Sequence, residues 1–241
     1  MNNYLHEACR RQGLVMDHVA EVGVYHPETS NVLGFIRDGT RTMLVEPDPD
    51  SLARIRDYFR GYDTVSIMPY AIWDEAGHVS LYRTNSSTFV SSLDASPALV
   101  NDGYVPDERD SFRAEARLFS DIDDGTIDLL SIDVEGAEWY VLKHMRSRPK
   151  VISLETHAAE YRNPFMAMIA RWMREHGYQR WFVHGSDTVY IRADAVTLSL
   201  PERLRRGISN NVVLARHRFK AMKRRIKYLF LLRRSRGQSP E

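Results

Sequence analysis

The chain has 241 residues, 43% of them hydrophobic, a single cysteine (Cys9) and a formal net charge of +1. That length and composition suit one domain with a single large core and an appendage; the lone cysteine excludes a disulfide framework and a cysteine-rich zinc site, and fits a reducing compartment. The near-neutral total hides an asymmetry, because residues 203–241 carry 13 of the 33 Lys and Arg and one acid, Glu241, leaving the first 202 residues with 20 bases against 31 acids.

In chain order, the N-terminal "MNNYLHEACRRQG" has no apolar run of signal-peptide length. No later stretch reaches the ~18 apolar residues of a membrane span, so the chain is expected to be cytoplasmic. Short apolar runs rich in β-branched residues then alternate with segments of helical period, which predicts an α/β fold with a mostly parallel sheet. Strands are predicted at 16–23 (MDHVAEVG), 40–47 (TRTMLVEP), 64–72 (TVSIMPYAI), 126–134 (TIDLLSIDV) and 149–156 (PKVISLET). "QRWFVHG" and "SDTVYIRA" are close enough to form an antiparallel terminal hairpin. "HVSLYR" (78–83) alternates and is a candidate edge strand.

Helices are predicted over "PDSLARIRDYFRG", with Asp50 and Ser51 as cap candidates and Leu52, Ile55 and Phe59 on one face, and over "GAEWYVLKHM" and "PFMAMIARWMREHG". Residues 84–125 are polar, with Ser and Asp clusters, and read as an irregular lid over one end of the sheet. "SSTFVSSL" (86–93) is the lid candidate within it. The pattern is that of a doubly wound, mostly parallel seven-stranded sheet, in which ligands bind at the carboxyl ends of the strands near the switch point.

Those strand ends carry acids. The first ends at Glu21-Val22-Gly23, the second at Glu46-Pro47-Asp48, the fourth at Asp133-Val134-Glu135-Gly136 and the fifth at Glu155-Thr156-His157. An acid closing the second strand is the expected partner of two ribose hydroxyls, since one carboxylate accepts both hydrogen bonds. As a bare surface or helix-capping acid Glu46 would need no ligand. The G-x-G-x-x-G fingerprint of a dinucleotide-binding oxidoreductase is absent, because Val24-Tyr25-His26-Pro27 follows Gly23.

"SIDVEGAEWYVLK" (131–143) resembles the signature of the FkbM-type methyltransferases, approximately K-[IL]-D-[VI]-E-G-x-E-x-x-[VIL]-L. Asp133, Glu135, Gly136, Glu138 and Leu142 match it, and Ser131 departs from the usual lysine. "LVEPDPDSLARI" and "PYAIWDEAGHVSLY" are similar to the family's second- and third-strand elements, and the three stretches stand in family order within residues 16–160. The resemblance implies a Rossmann-like class I methyltransferase fold, S-adenosylmethionine as donor and a hydroxyl oxygen as acceptor. It further implies that Glu21 and Gly23 flank the donor's methionine, that Glu46 holds its ribose, that Ala71 and Ile72 border its adenine, and that Asp133 adjoins it. The opening loop departs from the family's acid-Val-Gly-Ala-Asn-x-Gly. The donor has no phosphate, so fewer glycines are needed, and Pro27 is tolerated at the first position of the next helix.

Methyl transfer to a hydroxyl calls for alignment and a general base or a metal. His157 is the candidate base, with Asp133 and Glu135 at the neighbouring strand end as partners; His26 and His184 are rivals at the same rim. Asp133, Glu135 and Glu155 are candidate ligands for a divalent cation such as Mg²⁺, whose preferred ligands are oxygens. His18, His78, His144 and His176, and the aromatics Trp139, Tyr140, Trp172 and Trp181, read as structural.

Beyond residue 202, Ala215, Phe219, Met222, Ile226, Leu229 and Phe230 fall at helical spacing among seven Lys and Arg. Such a basic amphipathic helix over 213–233 suits the anionic inner face of a membrane, or packing on the domain or on a second subunit. Nucleic acid ranks last, because no nucleic-acid motif is present. The leading expectation is thus an O-methyltransferase domain over 1–202 acting on a carbohydrate, glycolipid or related metabolite. The alternative is a non-catalytic peripheral membrane or scaffold protein on the same fold.

Overall fold

The computed structural model describes residues 3–84, 87–93, 96–101, 103–158 and 161–196, all within one compact unit, Met1–Thr197. The basic segment 203–241 lies outside the described residues. In chain order the elements are α1 (Tyr4–Arg11), β1 (His18–Val22), α2 (Leu33–Arg37), β2 (Arg41–Val45), α3 (Pro49–Tyr58), β3 (Val65–Met68), β4 (Ala71–Ile72), β5 (Gly77–Arg83) and β6 (Thr88–Val90). They continue with α4 (Pro97–Val100), β7 (Ser111–Arg117), β8 (Leu129–Ile132), α5 (Glu138–Lys143), β9 (Val151–Glu155), β10 (His157–Ala158), β11 (Tyr161–Arg162), α6 (Met166–Glu175), β12 (Tyr178–His184) and β13 (Asp187–Arg192).

Seven strands form the main sheet in the order β12-β13-β9-β8-β1-β2-β3. β3, β2, β1, β8 and β9 run parallel, and the β12–β13 hairpin joins β9 antiparallel. β1 and β9 are buried along their whole length, as expected of parallel strands covered on both faces. Alternation sends neighbouring residues to opposite layers. Val19, Leu129 and Val151 pack with Leu5 and Cys9 of α1, Ile36 of α2 and Ile55 of α3. Ala20, Leu130 and Ile152 pack with Val141 and Leu142 of α5 and Ile169 and Met173 of α6. The chain leaves β1 toward β2 and β3, then returns through β8 on the other side. The switch point is therefore the β1–β8 seam, where crossover connections diverge and leave a crevice.

The predicted third strand, 64–72, is two strands. Pro69 and Tyr70 end β3 in the main sheet, and β4 opens a second, four-stranded sheet ordered β4-β7-β5-β6. The predicted edge strand at 78–83 is β5, which lies between β7 and β6 in that second sheet. The segment 84–125 is correspondingly more regular than its composition suggests, since β6, α4 and β7 fall within it. Ser and Asp clusters obscured these strands: β6 pairs with β5 as a hairpin, and β7 pairs with β5 antiparallel and β4 parallel. The cap of α3 also differs from expectation: Asp48 is the N-cap, its Oδ1 accepting from Asp50 N at 2.9 Å, with Pro49 at the first helical position. The short helix α1 was not anticipated from sequence, and it supplies Leu5, Ala8 and Cys9 to the core.

Candidate active site

Gly23 follows β1 and sits at φ +85°, a left-handed conformation that disfavours any side chain. Its position is also sterically closed: a Cβ there would stand 1.8 Å from the backbone oxygen of Asp133. The two strand ends are laced together by backbone bonds, Asp133 N donating to Val22 O and Gly23 N to Val45 O, both at 2.9 Å. One glycine therefore allows β1 and β8 to meet where the sheet divides.

The loop after Gly23 reaches the required curvature without further glycines. Tyr25 takes φ +45°, a rare left-handed conformation for a bulky residue. The buried Glu46 carboxylate holds it there: Oε2 accepts from Val24 N at 3.1 Å and Tyr25 N at 2.9 Å, while Oε1 accepts from Asp48 N at 2.9 Å. The Tyr25 hydroxyl donates to Thr84 O at 2.8 Å, and the Arg54 guanidinium lies 5.4 Å from its ring centre. Pro27 then opens a single 3₁₀ turn, Pro27–Thr29. Glu46 therefore shapes the loop, and a carboxylate's remaining lone pairs leave it able to accept a ligand hydroxyl as well. Burial pushes its pKa up, against the pull of those three N–H groups.

Between this loop and the second sheet opens a cleft. Gly23, Glu46, Ala71, Ile72, Asp133 and Glu135, all singled out from sequence, line it. The apolar wall is Val45, Ile72, Leu81, Phe89 and Val90, of which only Phe89 and Val90 of β6 fall within the stretch read as a polar lid. Tyr25, His26, Tyr70 and Ser87 line it as well. The second sheet is anchored to the loop by Arg83, whose Nε and Nη2 reach Asp48 Oδ2 and Oδ1 at 2.8 and 2.6 Å and whose Nη1 reaches Asp50 at 2.7 Å.

Glu21 does not line the cleft. It is buried behind β1, where Oε1 accepts from Asn31 N at 2.9 Å and Oε2 from Ser30 Oγ at 2.5 Å. Burial raises its pKa to about 7, opposed by those hydrogen bonds. It fixes the turn that leads into α2.

The "DVEG" turn after β8 is strained and braced. Glu135 has φ +54° and Gly136 φ +112°. Glu138 Oε1 accepts from Val134 N at 3.3 Å and Gly136 N at 3.1 Å, and Oε2 accepts from Asn163 Nδ2. Burial raises the Glu138 carboxyl to about 7. The third acid of the motif thus braces the backbone beside the second. Asp133, Glu135 and Glu155 converge, each offering a carboxylate oxygen within 4.8 Å of the others. Burial, then the Glu155 charge, raises the Asp133 pKa well above the carboxylate range. Glu155, 8% exposed, is raised to about 8 by burial and then by Glu135 and Glu138. His157 begins β10, paired with Arg162, two residues beyond Glu155; its side chain is outside the described residues.

Several of the other histidines have structural partners. His18 Nδ1 meets Thr126 Oγ1 at 2.8 Å, His144 Nε2 meets Asp74 at 2.8 Å, and His176 stacks on Trp172. His184 stacks on Tyr4, and only His26 of the two rim rivals lines the cleft. Trp172 and Trp181 are buried in the two layers of the core. Tyr25, Phe89, Arg83 and Asn163 had no signal in the sequence, because each matters through a partner distant in the chain.

A family profile described as a methyltransferase FkbM domain matches residues 17–180. No curated protein matches the chain. Among solved structures, the methyltransferase domain of bacterial CtHen1 is similar at 11% identity over 81% of this chain and 96% of that one, with a TM-score of 0.44. The ribosomal protein L11 methylase of Lactobacillus delbrueckii subsp. bulgaricus is similar at 10% identity over 77% and 73%, with a TM-score of 0.38. The glycopeptide N-methyltransferase MtfA is similar at 10% identity over 78% and 87%, with a TM-score of 0.39. With 164 consecutive positions matched and the acid-lined cleft at the switch point of a class I methyltransferase sheet, the chain belongs to the FkbM methyltransferase family.

Proposed function

We propose that the protein is an S-adenosylmethionine-dependent O-methyltransferase acting on a hydroxyl of a carbohydrate, glycolipid or related metabolite. The observation that carries this reading is the cleft at the β1–β8 switch point, with an apolar wall on one side and carboxylates on the other. The residues present fit the donor. Ala71 and Ile72 offer an apolar slot for adenine and Glu46 an acceptor for ribose hydroxyls, while Gly23, which lines the cleft, marks the place for the methionine. Glu21 acts from behind, by setting the turn that follows. Asp133 and Glu135 line the cleft with carboxyl oxygens, which suit a sulfonium cation. When bound, the donor supplies an electrophilic methyl group.

The chain's own contribution is alignment and proton removal. Strand ends on a packed sheet hold side chains more rigidly than loops do, so Asp133 and Glu135 are suited to orient an acceptor hydroxyl against the donor. We assign the proton-accepting role to His157, at the end of the neighbouring β9. With the donor bound, His157 would take the proton that the acceptor hydroxyl gives up on methylation. We further propose that residues 213–233 bring the protein to an anionic membrane surface. Among the described residues no helix is long and apolar enough to cross a membrane.

Calorimetric titration with S-adenosylhomocysteine tests the donor site: micromolar binding that weakens at least about tenfold in Glu46→Ala is expected. No heat at millimolar ligand would overturn the enzyme reading. Radiolabelled methyl transfer into fractionated polysaccharides, lipids and small molecules then identifies the acceptor. His157→Ala should lower kcat with little change in donor binding.

A further inference from the structure

The three carboxylates at the ends of β8 and β9 have a property that donor binding alone does not require. Asp133 and Glu135 face the cleft, whereas Glu155 is outside its lining, yet all three present oxygens within 4.8 Å of one another. Like charges held this close in a buried place repel, which is costly unless something positive lies between them. Two buried atoms beside them also lack a hydrogen-bond partner among the described residues: Glu155 Oε2 and the hydroxyl of Tyr161, a residue only 2% exposed. Tyr161 stands in β11, whose partner strand β10 begins two residues beyond Glu155. Buried polar atoms in native proteins find partners, so orphans gathered around one point indicate a missing one.

We infer that Asp133, Glu135 and Glu155 bind a divalent cation that takes oxygen ligands, at the acceptor end of the cleft, with the Tyr161 hydroxyl against its bound water. Two ligands opposite one another on a cation of Ca²⁺ size, at roughly 2.3–2.6 Å each, stand about 4.6–5.2 Å apart, which the observed span satisfies. Mg²⁺ needs a slightly tighter set, within reach of small side-chain rotations. An all-oxygen ligand set with no histidine or cysteine favours Mg²⁺, Mn²⁺ or Ca²⁺ over zinc or copper. The backbone supports the assignment: Glu138 accepts from the Val134 and Gly136 N–H groups on either side of Glu135, which takes φ +54° and presents its carboxylate within reach of the other two. This deepens the methyltransferase reading and rests on it for the purpose of the site: a hydroxyl or adjacent pair of hydroxyls held by such a cation loses a proton more readily.

The test uses the full chain, stripped with a chelator, and Mn²⁺ as the probe, followed by calorimetry and by loss of the free-ion electron spin resonance signal. One Mn²⁺ per chain is expected, with dissociation in the range of about 10⁻⁵–10⁻³ M and displacement by Mg²⁺ or Ca²⁺. Glu155→Gln should weaken it at least about tenfold while S-adenosylhomocysteine still binds. Glu135→Gln, at a half-exposed position with less risk to folding, should weaken it comparably. If S-adenosylhomocysteine binds but stripped protein takes up no Mn²⁺ at millimolar concentration, the cation site is refuted and the methyltransferase reading stands. Equal Mn²⁺ affinity in wild type and both variants would place the ion elsewhere and refute the assignment. Mn²⁺ binding lost in the variants, with no S-adenosylhomocysteine binding in the wild type, would support the site and overturn the donor reading instead.

Discussion

Glu21→Gln isolates the cost of a carboxylate buried behind the β1–β8 seam. Glu21 is 2% exposed, and burial carries its pKa from 4.5 to about 7. A carboxyl whose folded pKa lies above its unfolded value binds its proton more readily when folded. Its contribution is therefore fully favourable below about pH 4.5 and is lost as pH rises through about 7. A displacement of that size corresponds to about 2–3 kcal/mol of stability lost between pH 5 and pH 8. Glutamine keeps the shape. Its carbonyl can accept from Asn31 N, and the Ser30 hydroxyl, which now donates to Oε2, can rotate to accept from the amide. Urea unfolding from pH 4.5 to 8.5 should show the variant gaining on wild type by about that amount across the window, with unchanged m-values. Glu138 and Glu155 slope the same way in both proteins, so the difference curve reports Glu21 together with its repulsion of Asp133. Parallel curves would show that Ser30 and Asn31 hold Glu21 ionised at neutral pH, and would refute the burial argument.

Gly23→Ala should destabilise by more than about 2 kcal/mol in chemical denaturation, because φ +85° and the Asp133 oxygen both exclude a methyl group; a wild-type midpoint would show the strand ends to be less tightly packed. Arg83→Ala removes a forked pair from the buried Asp48 while leaving the carboxylate in place. Its own partial exposure limits the loss to about 1–2 kcal/mol, together with weaker S-adenosylhomocysteine binding as β5 loosens from the loop. Unchanged binding would separate the second sheet from donor affinity. Cys9, whose thiol burial pushes up to about 12, should resist alkylation by a thiol reagent in the native state and react on unfolding. Rapid native modification would show that α1 opens from the core.

Local pattern sufficed for the parts of this protein whose physics is local. Short, largely apolar runs marked β1, β8 and β9, because a parallel strand covered on both faces is mostly apolar. Gly23 stood out because a strand that ends at a crossover needs a left-handed residue, and "DVEGAE" because it packs two acids, a glycine and a bracing acid into one turn. The order of those stretches was enough to identify the sheet and most of the cleft floor. Tertiary structure alone decided what depends on distant partners. The polar 84–125 stretch became ordered strands only through β5–β7 and β5–β6 pairing, which composition does not encode. Glu46 is occupied by the N–H groups of Val24 and Tyr25, a role set by how the loop folds back over β2. Glu21 and Glu46 both close a strand, yet one is sealed behind the sheet and the other lines the cleft. That difference arises from the loops packed around each. Glu155 stands 22 residues beyond Asp133, and only the parallel register of β8 with β9 brings their carboxylates to one point.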